Sequence, residues 1–233
     1  MMASAALSSG YIDRRGRLET YFDRTAAKTW ERLTSDAPVS GIRATVRAGR
    51  DAMRETLLSW LPQDMTGLRL LDAGCGTGAL SVEAARRGAA VVAIDVAGNL
   101  VDVARERTPK DLYIDWRVGD MSDAALGRFD HVVAMDSLIH YAANDIADAV
   151  AGLARRTAGS MLFTFAPATR PLLAMHAVGK LFPRGDRAPA IEPVREHVLR
   201  GLIGQRLPDA TIARDARIGT GFYISHALEV VPG

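Results

Sequence analysis

The sequence predicts an α/β fold: a seven-stranded, mostly parallel sheet with helices on both faces, an N-terminal helical arm and an antiparallel terminal hairpin. Three observations carry that expectation. From Arg69 onward, short apolar runs alternate with helix-forming runs, the pattern of βαβ units. The first apolar run, Leu70–Ala73, passes into the glycine-rich turn Gly74–Gly78 and then into the helix-forming run Ala79–Arg87. The last two extended runs, Thr211–Ile218 and Phe222–Val230, are joined by the short turn Gly219–Gly221 and therefore pair antiparallel.

Composition narrows the class. With 233 residues, 48% of them hydrophobic, the chain suits one α/β domain with embellishments and can bury a sizeable core. No apolar run approaches the roughly 18 to 20 residues needed to span a bilayer. Met1–Gly10 lacks the basic start and long apolar centre of a signal peptide, which predicts a cytoplasmic location. The single cysteine, Cys75, leaves no disulfide framework and no cysteine-based metal cluster. Net charge is only +2 and no Lys/Arg-rich run is present, so no nucleic-acid partner is expected.

The elements follow in order. Residues Arg14–Leu33 repeat apolar groups near helical spacing, among them Leu18, Tyr21, Phe22, Trp30 and Leu33. They predict an amphipathic arm helix whose aromatics either close over a ligand or simply pack. A loop, Ser35–Gly41, leads to a second helix that Pro62 stops after Leu61. Its buried stripe is Ile42, Val46, Met53, Leu57 and Leu61. Arg43, Arg47, Arg50 and Arg54 share another face, either as a solvated row or as a receiving surface for an acidic substrate or partner. Residues 1–62 thus form the arm and helices, and 63–233 the main domain.

In the main domain, strands are expected at Leu70–Ala73, Val91–Asp95, Leu112–Val118, Phe129–Met135 and Ser160–Phe165. Helices are expected between them at Ala79–Arg87, Asn99–Arg107 and Ile146–Arg156. Between Ala166 and Pro193, five prolines and the apolar run Leu172–Phe182 mark an insertion, 166–193, read either as a lid over a large flat ligand or as a packing excursion. Helix Val194–Arg206 then precedes the hairpin.

Candidate chemistry gathers at the carboxyl ends of the strands, where open α/β sheets bind ligands. Gly74, Gly76 and Gly78 let the backbone approach a ligand, and Gly74, Gly76 and Ala79 also satisfy a loose dinucleotide pattern, so the turn alone admits two cofactors. Asp72 favours a methyl donor: its carboxylate can meet the methionine ammonium of S-adenosylmethionine but would repel a pyrophosphate. Asp95, at the end of the second strand, is placed for ribose hydroxyls or for capping a helix. In Gly119-Asp120-Met121, Asp120 either accepts from the adenine amino group or is an ordinary turn aspartate. Met135 closes the fourth strand, and the following run Asp136–Tyr141 should project His140 and Tyr141 toward the reacting centre. A packing histidine is the other reading of His140.

This series resembles the class I S-adenosylmethionine-dependent methyltransferases, which are Rossmann-like. More narrowly it resembles the magnesium protoporphyrin IX O-methyltransferase family, through Tyr21-Phe22, Ile42–Gly49, Asp72–Gly78, Asp136–Tyr141, Phe165-Ala166-Pro167 and Phe222-Tyr223. The resemblance implies S-adenosylmethionine as co-substrate, held by Asp72, Gly74, Gly76, Gly78, Asp95, Asp120, Met121 and Met135. It implies methyl transfer to one propionate of magnesium protoporphyrin IX, giving the monomethyl ester in (bacterio)chlorophyll biosynthesis, with His140 as a catalytic residue. A loop tyrosine implicated in oxygen-evolving relatives is replaced here by Thr34, which leaves Tyr21 or Tyr223 as the second catalytic group; Tyr21 is the first choice. No protein-held metal is expected, and the axial ligand to the substrate magnesium stays open between His176, His197 and none. The resemblance further implies the large subunit of magnesium chelatase as handover partner and peripheral association with the photosynthetic membrane. Three other readings stand beside it: a small-molecule O- or N-methyltransferase with another acceptor, a nicotinamide-dependent dehydrogenase, and a non-catalytic porphyrin carrier.

Overall fold

The computed structural model describes residues 8–25, 41–169 and 190–233. Helix α1 (Ser9–Thr20) begins earlier than the apolar spacing indicates, because Ser8 caps it: the Ser8 Oγ accepts from the Tyr11 N–H at 3.0 Å. The helix passes into one π-helical turn, Tyr21–Thr25. Trp30, Leu33 and Thr34 lie outside the described residues, as does the expected loop to residue 40.

Helix α2 (Gly41–Ser59) buries Met53, Leu57 and Leu58. Leu61, just past its end, is buried too, whereas Ile42, expected on that stripe, is 56% exposed. The sheet strands are β1 (Arg69–Ala73), β2 (Ala90–Asp95), β3 (Ile114–Val118), β4 (Phe129–Ala134), β5 (Thr157–Phe165), β6 (Thr211–Thr220) and β7 (Tyr223–Val231). Between them run α3 (Ala79–Arg86), α4 (Gly98–Arg107), α5 (Ala143–Ala154) and α6 (Glu196–Arg206). The third strand starts at Ile114 rather than Leu112, whose N–H instead closes a turn on the Pro109 carbonyl at 3.0 Å.

The seven strands lie in the order β3-β2-β1-β4-β5-β7-β6. All neighbours from β3 to β5 are parallel, while β7 pairs antiparallel with both β5 and β6. Consecutive strand residues point to opposite faces, and this splits the core in two. Leu71, Val92, Ile94 and Phe163 pack with α1, α5 and α6, whereas Leu70, Val91, Ala93 and Leu162 pack with α2 and α3. Burial on both faces is why the central strands are continuous apolar runs. Edge strand β6 carries the charged residues Arg214, Asp215 and Arg217, which blunts further strand pairing.

Residues 170–189 of the expected insertion lie outside the described residues. Its two ends meet: Pro167 and Val194 form a parallel bridge, with the Val194 N–H donating to the Ala166 carbonyl and the Ala168 N–H to the Val194 carbonyl, both at 2.8 Å. That bridge is why α6 begins at Glu196 and not at Val194.

Candidate active site

The glycine turn after β1 is held open by backbone geometry. Gly74, Gly76 and Gly78 have φ of 86°, 53° and 80°, in the left-handed region that favours glycine. The N–H groups of Gly74 and Cys75 donate to the Ile94 carbonyl at 2.8 and 3.1 Å. At Gly74 a Cβ would also run into the Ser137 side chain, whose Oγ lies 2.9 Å from that position. Ser137 in turn donates from its hydroxyl to the Ala73 carbonyl at 2.8 Å. The turn, the end of β2 and the loop after β4 are therefore one fitted unit.

Asp95 is the centre of that unit. One carboxylate oxygen accepts from the Gly76 N–H and the other from the Ala97 N–H, both at 2.9 Å, and its backbone carbonyl accepts from Gly119 at 2.9 Å. Burial pushes its pKa up, against these stabilising N–H donors. Asp72 is 2% exposed and accepts from the Ser81 hydroxyl at 2.6 Å. Burial, opposed by Ser81 and reinforced by the Asp95 charge, raises its pKa to about 7.

Around these carboxylates opens a cavity of about 360 Å³, the size of a small-molecule site. Asp72, Gly74, Gly76, Asp95, Met121, Met135 and His140 all line it. So do Tyr11, Leu18 and Phe22 from the arm, which makes the arm a wall of the site. Cys75 also borders it, with its thiol pKa raised by burial and by the neighbouring Asp95 and Asp72 charges.

Three expected residues stand elsewhere. Gly78 is not among the lining residues; it backs onto Trp116, where a Cβ would lie 3.0 Å from the ring Cζ3, so its part is to let α3 start close to β3. Asp120 also stands off the lining, because its oxygens are engaged by the arm: Oδ1 accepts from the Tyr11 hydroxyl at 3.0 Å and from Ser122, and Oδ2 from Arg15 at 3.0 Å. These donors hold its pKa below the usual carboxylate range despite partial burial. Tyr21 packs edge-on against Phe22, ring centroids 5.2 Å apart, and Phe22 rather than Tyr21 reaches the cavity.

His140 is 8% exposed. Its ring lies 6.2 Å from the Phe22 ring, and its Nδ1 is 3.4 Å from the Ala190 carbonyl. The chain returning from the insertion also donates from the Glu192 N–H to the Ile139 carbonyl at 2.9 Å, so this segment braces the histidine loop. His197 is exposed on α6, away from the cavity, and His176 lies outside the described residues.

For two groups of lining residues the sequence named the residues but not their contacts. Tyr141 stacks on Tyr11 at 4.8 Å, a contact between chain segments 130 residues apart that no local pattern announces. Asp136 adopts φ 52°, accepts from the Tyr223 hydroxyl at 2.9 Å, and lies 3.3 Å from the Arg50 guanidinium. Arg47, Arg50 and Arg54 all face the cavity, and only Arg43 of that row stays outside its lining. Apart from the cavity, Glu196, Asp215 and His226 bring three ligand-type atoms within 4.8 Å of one another. Arg200 pairs with both carboxylates there, at 2.7 and 3.5 Å, and supplies the positive charge.

Comparison with known proteins bears on the fold and the family. Residues 134–232 match the family model described as magnesium-protoporphyrin IX methyltransferase C-terminus, and residues 70–158 match a methyltransferase domain. The chain is 50% identical over 229 residues to the magnesium-protoporphyrin O-methyltransferase of Rhodobacter capsulatus, covering 97% of this chain and 100% of that one. The crystal structure of magnesium protoporphyrin IX methyltransferase from Synechocystis PCC 6803 with bound SAH superposes with a TM-score of 0.83 at 27% identity, covering 94% and 99% of the two chains. A ubiquinone biosynthesis O-methyltransferase of Methylocella silvestris is 38% identical, but over 133 residues, 51% of each chain. Since the likeness to the Rhodobacter protein runs through the arm, the glycine turn and the C-terminal half alike, the chain belongs to the magnesium-protoporphyrin O-methyltransferase family.

Proposed function

We propose that the chain transfers a methyl group from S-adenosylmethionine to one propionate carboxylate of magnesium protoporphyrin IX, giving the monomethyl ester. The observation that carries this reading is the 50% identity that extends over the whole length of a relative of that name, joined to a cavity walled by both the donor turn and the His140 loop.

The chemistry asks little acid–base work of the protein. A propionate, with a reference pKa of about 4.3, is already an anionic nucleophile at neutral pH. S-adenosylmethionine, when bound, supplies a methyl group on a sulfonium. A propionate oxygen attacks that carbon while the carbon–sulfur bond breaks, its electron pair going to sulfur. Carboxylate and sulfonium become a neutral ester and a thioether, and no proton moves. What remains for the protein is orientation and exclusion of water, where placement alone can contribute roughly 7 to 11 kcal/mol.

The lining residues divide that task. Asp72 receives the methionine ammonium, which restores the charged form that burial disfavours. Asp95, with one further lone pair on each oxygen, accepts from the ribose hydroxyls. Met121 and Met135 supply apolar walls, and Gly74 and Gly76 admit the donor to the backbone. His140 holds one oxygen of the reacting carboxylate so that the other is aimed at the methyl carbon. Tyr21, the first choice for a second catalytic group, stands behind Phe22 and off the cavity lining, and Tyr223 reaches the cavity only through Asp136.

Incubating the chain with S-adenosylmethionine and magnesium protoporphyrin IX and resolving products by mass tests the reading: one added methyl, removable by mild ester hydrolysis, is expected. Methylation of a quinone precursor with none of the porphyrin would replace it with the small-molecule alternative. A handover from the magnesium chelatase large subunit and a peripheral membrane position belong to the same proposal, supported by family resemblance. No helix among the described residues is long and apolar enough to cross a membrane, so membrane attachment on this reading is at the surface; co-sedimentation with anionic vesicles checks it.

A further inference from the structure

Asp136 is the one non-glycine residue with a positive φ among the described residues, at 52°. It stands where β4 passes into the His140 loop, so this backbone turn sets the direction in which the loop leaves the sheet. Aspartate adopts that conformation more readily than most residues, yet it still costs free energy, and it persists where the surroundings over-determine it. At Asp136 the surroundings do so. The Asp136 N–H donates to the Thr164 Oγ1 at 2.7 Å, and the carboxylate draws donors from three elements. Thr164 of β5 donates to Oδ1 at 3.3 Å, the Tyr223 hydroxyl of β7 lies 2.9 and 3.2 Å from the two oxygens, and the Arg50 guanidinium of α2 lies 3.3 Å from Oδ2. Burial and the Asp136 charge push the Tyr223 pKa up, so that hydroxyl stays a donor. The Asp136 side chain borders the cavity but is only 5% exposed.

A carboxylate so engaged is not offered as a base, and the transfer proposed above moves no proton. What the anchoring fixes is the loop. His140 follows four positions later. Between them Ser137 donates to the Ala73 carbonyl at 2.8 Å and Leu138 is buried in the core. Catalysis by orientation is sensitive to such pinning, since a displacement of about 1 Å can cost about 10²-fold in rate. We infer that Asp136 is a positioning residue for methyl transfer: anchored by Tyr223, Thr164 and Arg50, it sets the His140 loop so that the imidazole meets the reacting carboxylate. This rests on the role given to His140 above. It also gives the carboxyl group a use. Glycine would satisfy the φ and asparagine would keep the shape, but an asparagine amide turns a donor toward Arg50 or Tyr223, where a carboxylate accepts from both.

The test is a double-mutant cycle in turnover. Turnover of magnesium protoporphyrin IX by the wild type, and its loss in His140→Ala, are measured first. No turnover sinks the porphyrin reading, near-normal turnover in His140→Ala sinks the role of that histidine, and either takes this inference with it. With both in place, Asp136→Asn is expected to lower kcat roughly 10- to 100-fold and to leave KM for S-adenosylmethionine within about twofold. In the His140→Ala background the same substitution should change kcat by less than about twofold, because a group that acts through His140 has nothing left to position. Asp136→Gly, which relaxes the backbone and removes the carboxylate, should lose at least as much kcat as Asp136→Asn. Tyr223→Phe leaves the carboxylate in place and should cost roughly 2- to 10-fold in kcat, the range for one typical hydrogen bond, again only when His140 is present. It carries the same comparison if Asp136→Asn does not fold. Equal fold-losses in the two backgrounds would make Asp136 a structural anchor and overturn the inference. So would a wild-type kcat in Asp136→Gly, or a rise in KM for S-adenosylmethionine as large as the fall in kcat.

Discussion

At the scale of single residues, the buried carboxylates of the donor side decide pH behaviour. Asp72 has a folded pKa of about 7 because burial disfavours its charge, against about 3.9 when exposed. Between about pH 4 and 7 the folded, unliganded chain therefore holds a proton that the unfolded chain has lost, and its stability falls as pH rises through that window. An ammonium at Asp72 favours the ionised form, so donor binding below pH 7 should release a proton. Calorimetric titration with S-adenosylhomocysteine at pH 6, in two buffers of different ionisation enthalpy, should show close to one proton released. Asp72→Asn should abolish the release and weaken binding by roughly 10- to 100-fold; an unchanged proton count would remove Asp72 from the ammonium site. His140 is the other decisive residue. His140→Ala should lower kcat by about 10²- to 10³-fold with donor affinity preserved, the range for removing one positioned hydrogen-bond donor. Near-normal turnover would return His140 to a packing role.

At the scale of elements, the junction of α2 with the terminal hairpin sets the α2 wall of the cavity. Gly49 on α2 lies against Tyr223 of β7, and a Cβ there would stand 2.7 Å from the tyrosine Cβ and Cγ. The ring cannot swing away without giving up its bonds to Asp136 at 2.9 and 3.2 Å. Gly49→Ala should therefore lift α2 from the sheet and cost about 1 to 3 kcal/mol, the usual range for overpacking. A lowered denaturant midpoint at unchanged slope would register it, and an unaltered midpoint would mean that the helix yields freely. The same junction explains why the family resemblance included both Ile42–Gly49 and Phe222-Tyr223: the two segments meet in space. The arm adds polar contacts to the packing of Tyr11 and Leu18 in the core. Tyr11 and Arg15 on Asp120, Arg14 on Glu192 and Ser8 on Asp145 tie α1 and its cap to two loops and the first turn of α5.

At the scale of the whole molecule, the donor site joins the arm, the sheet edge and α2 around one cavity, so a bound donor analogue should stabilise all three together. At a concentration of about 100 Kd, linkage gives about 2.7 kcal/mol, which for a chain of this length corresponds to a Tm increase of roughly 5 to 11 °C. Thermal melts with S-adenosylhomocysteine measure it, and hydrogen exchange should show protection in α1 as well as in the glycine turn. Exchange confined to the turn would separate the arm from the donor site. By itself the sequence determined the strand and helix alternation, the glycine turn with Asp72 and Asp95, the antiparallel hairpin and the position of His140's run at the carboxyl edge of the sheet. All of these are written in local periodicity and in residue types with narrow conformational uses. Only the tertiary structure decided that Asp120 is occupied by Tyr11 and Arg15, that Gly78 serves packing against Trp116, that Phe22 displaces Tyr21 from the cavity, and that the arginine row of α2 turns inward. Each of those depends on which distant segment lies opposite, and pairing between residues far apart in the chain is set by the packing of the sheet's two faces, which no local pattern encodes.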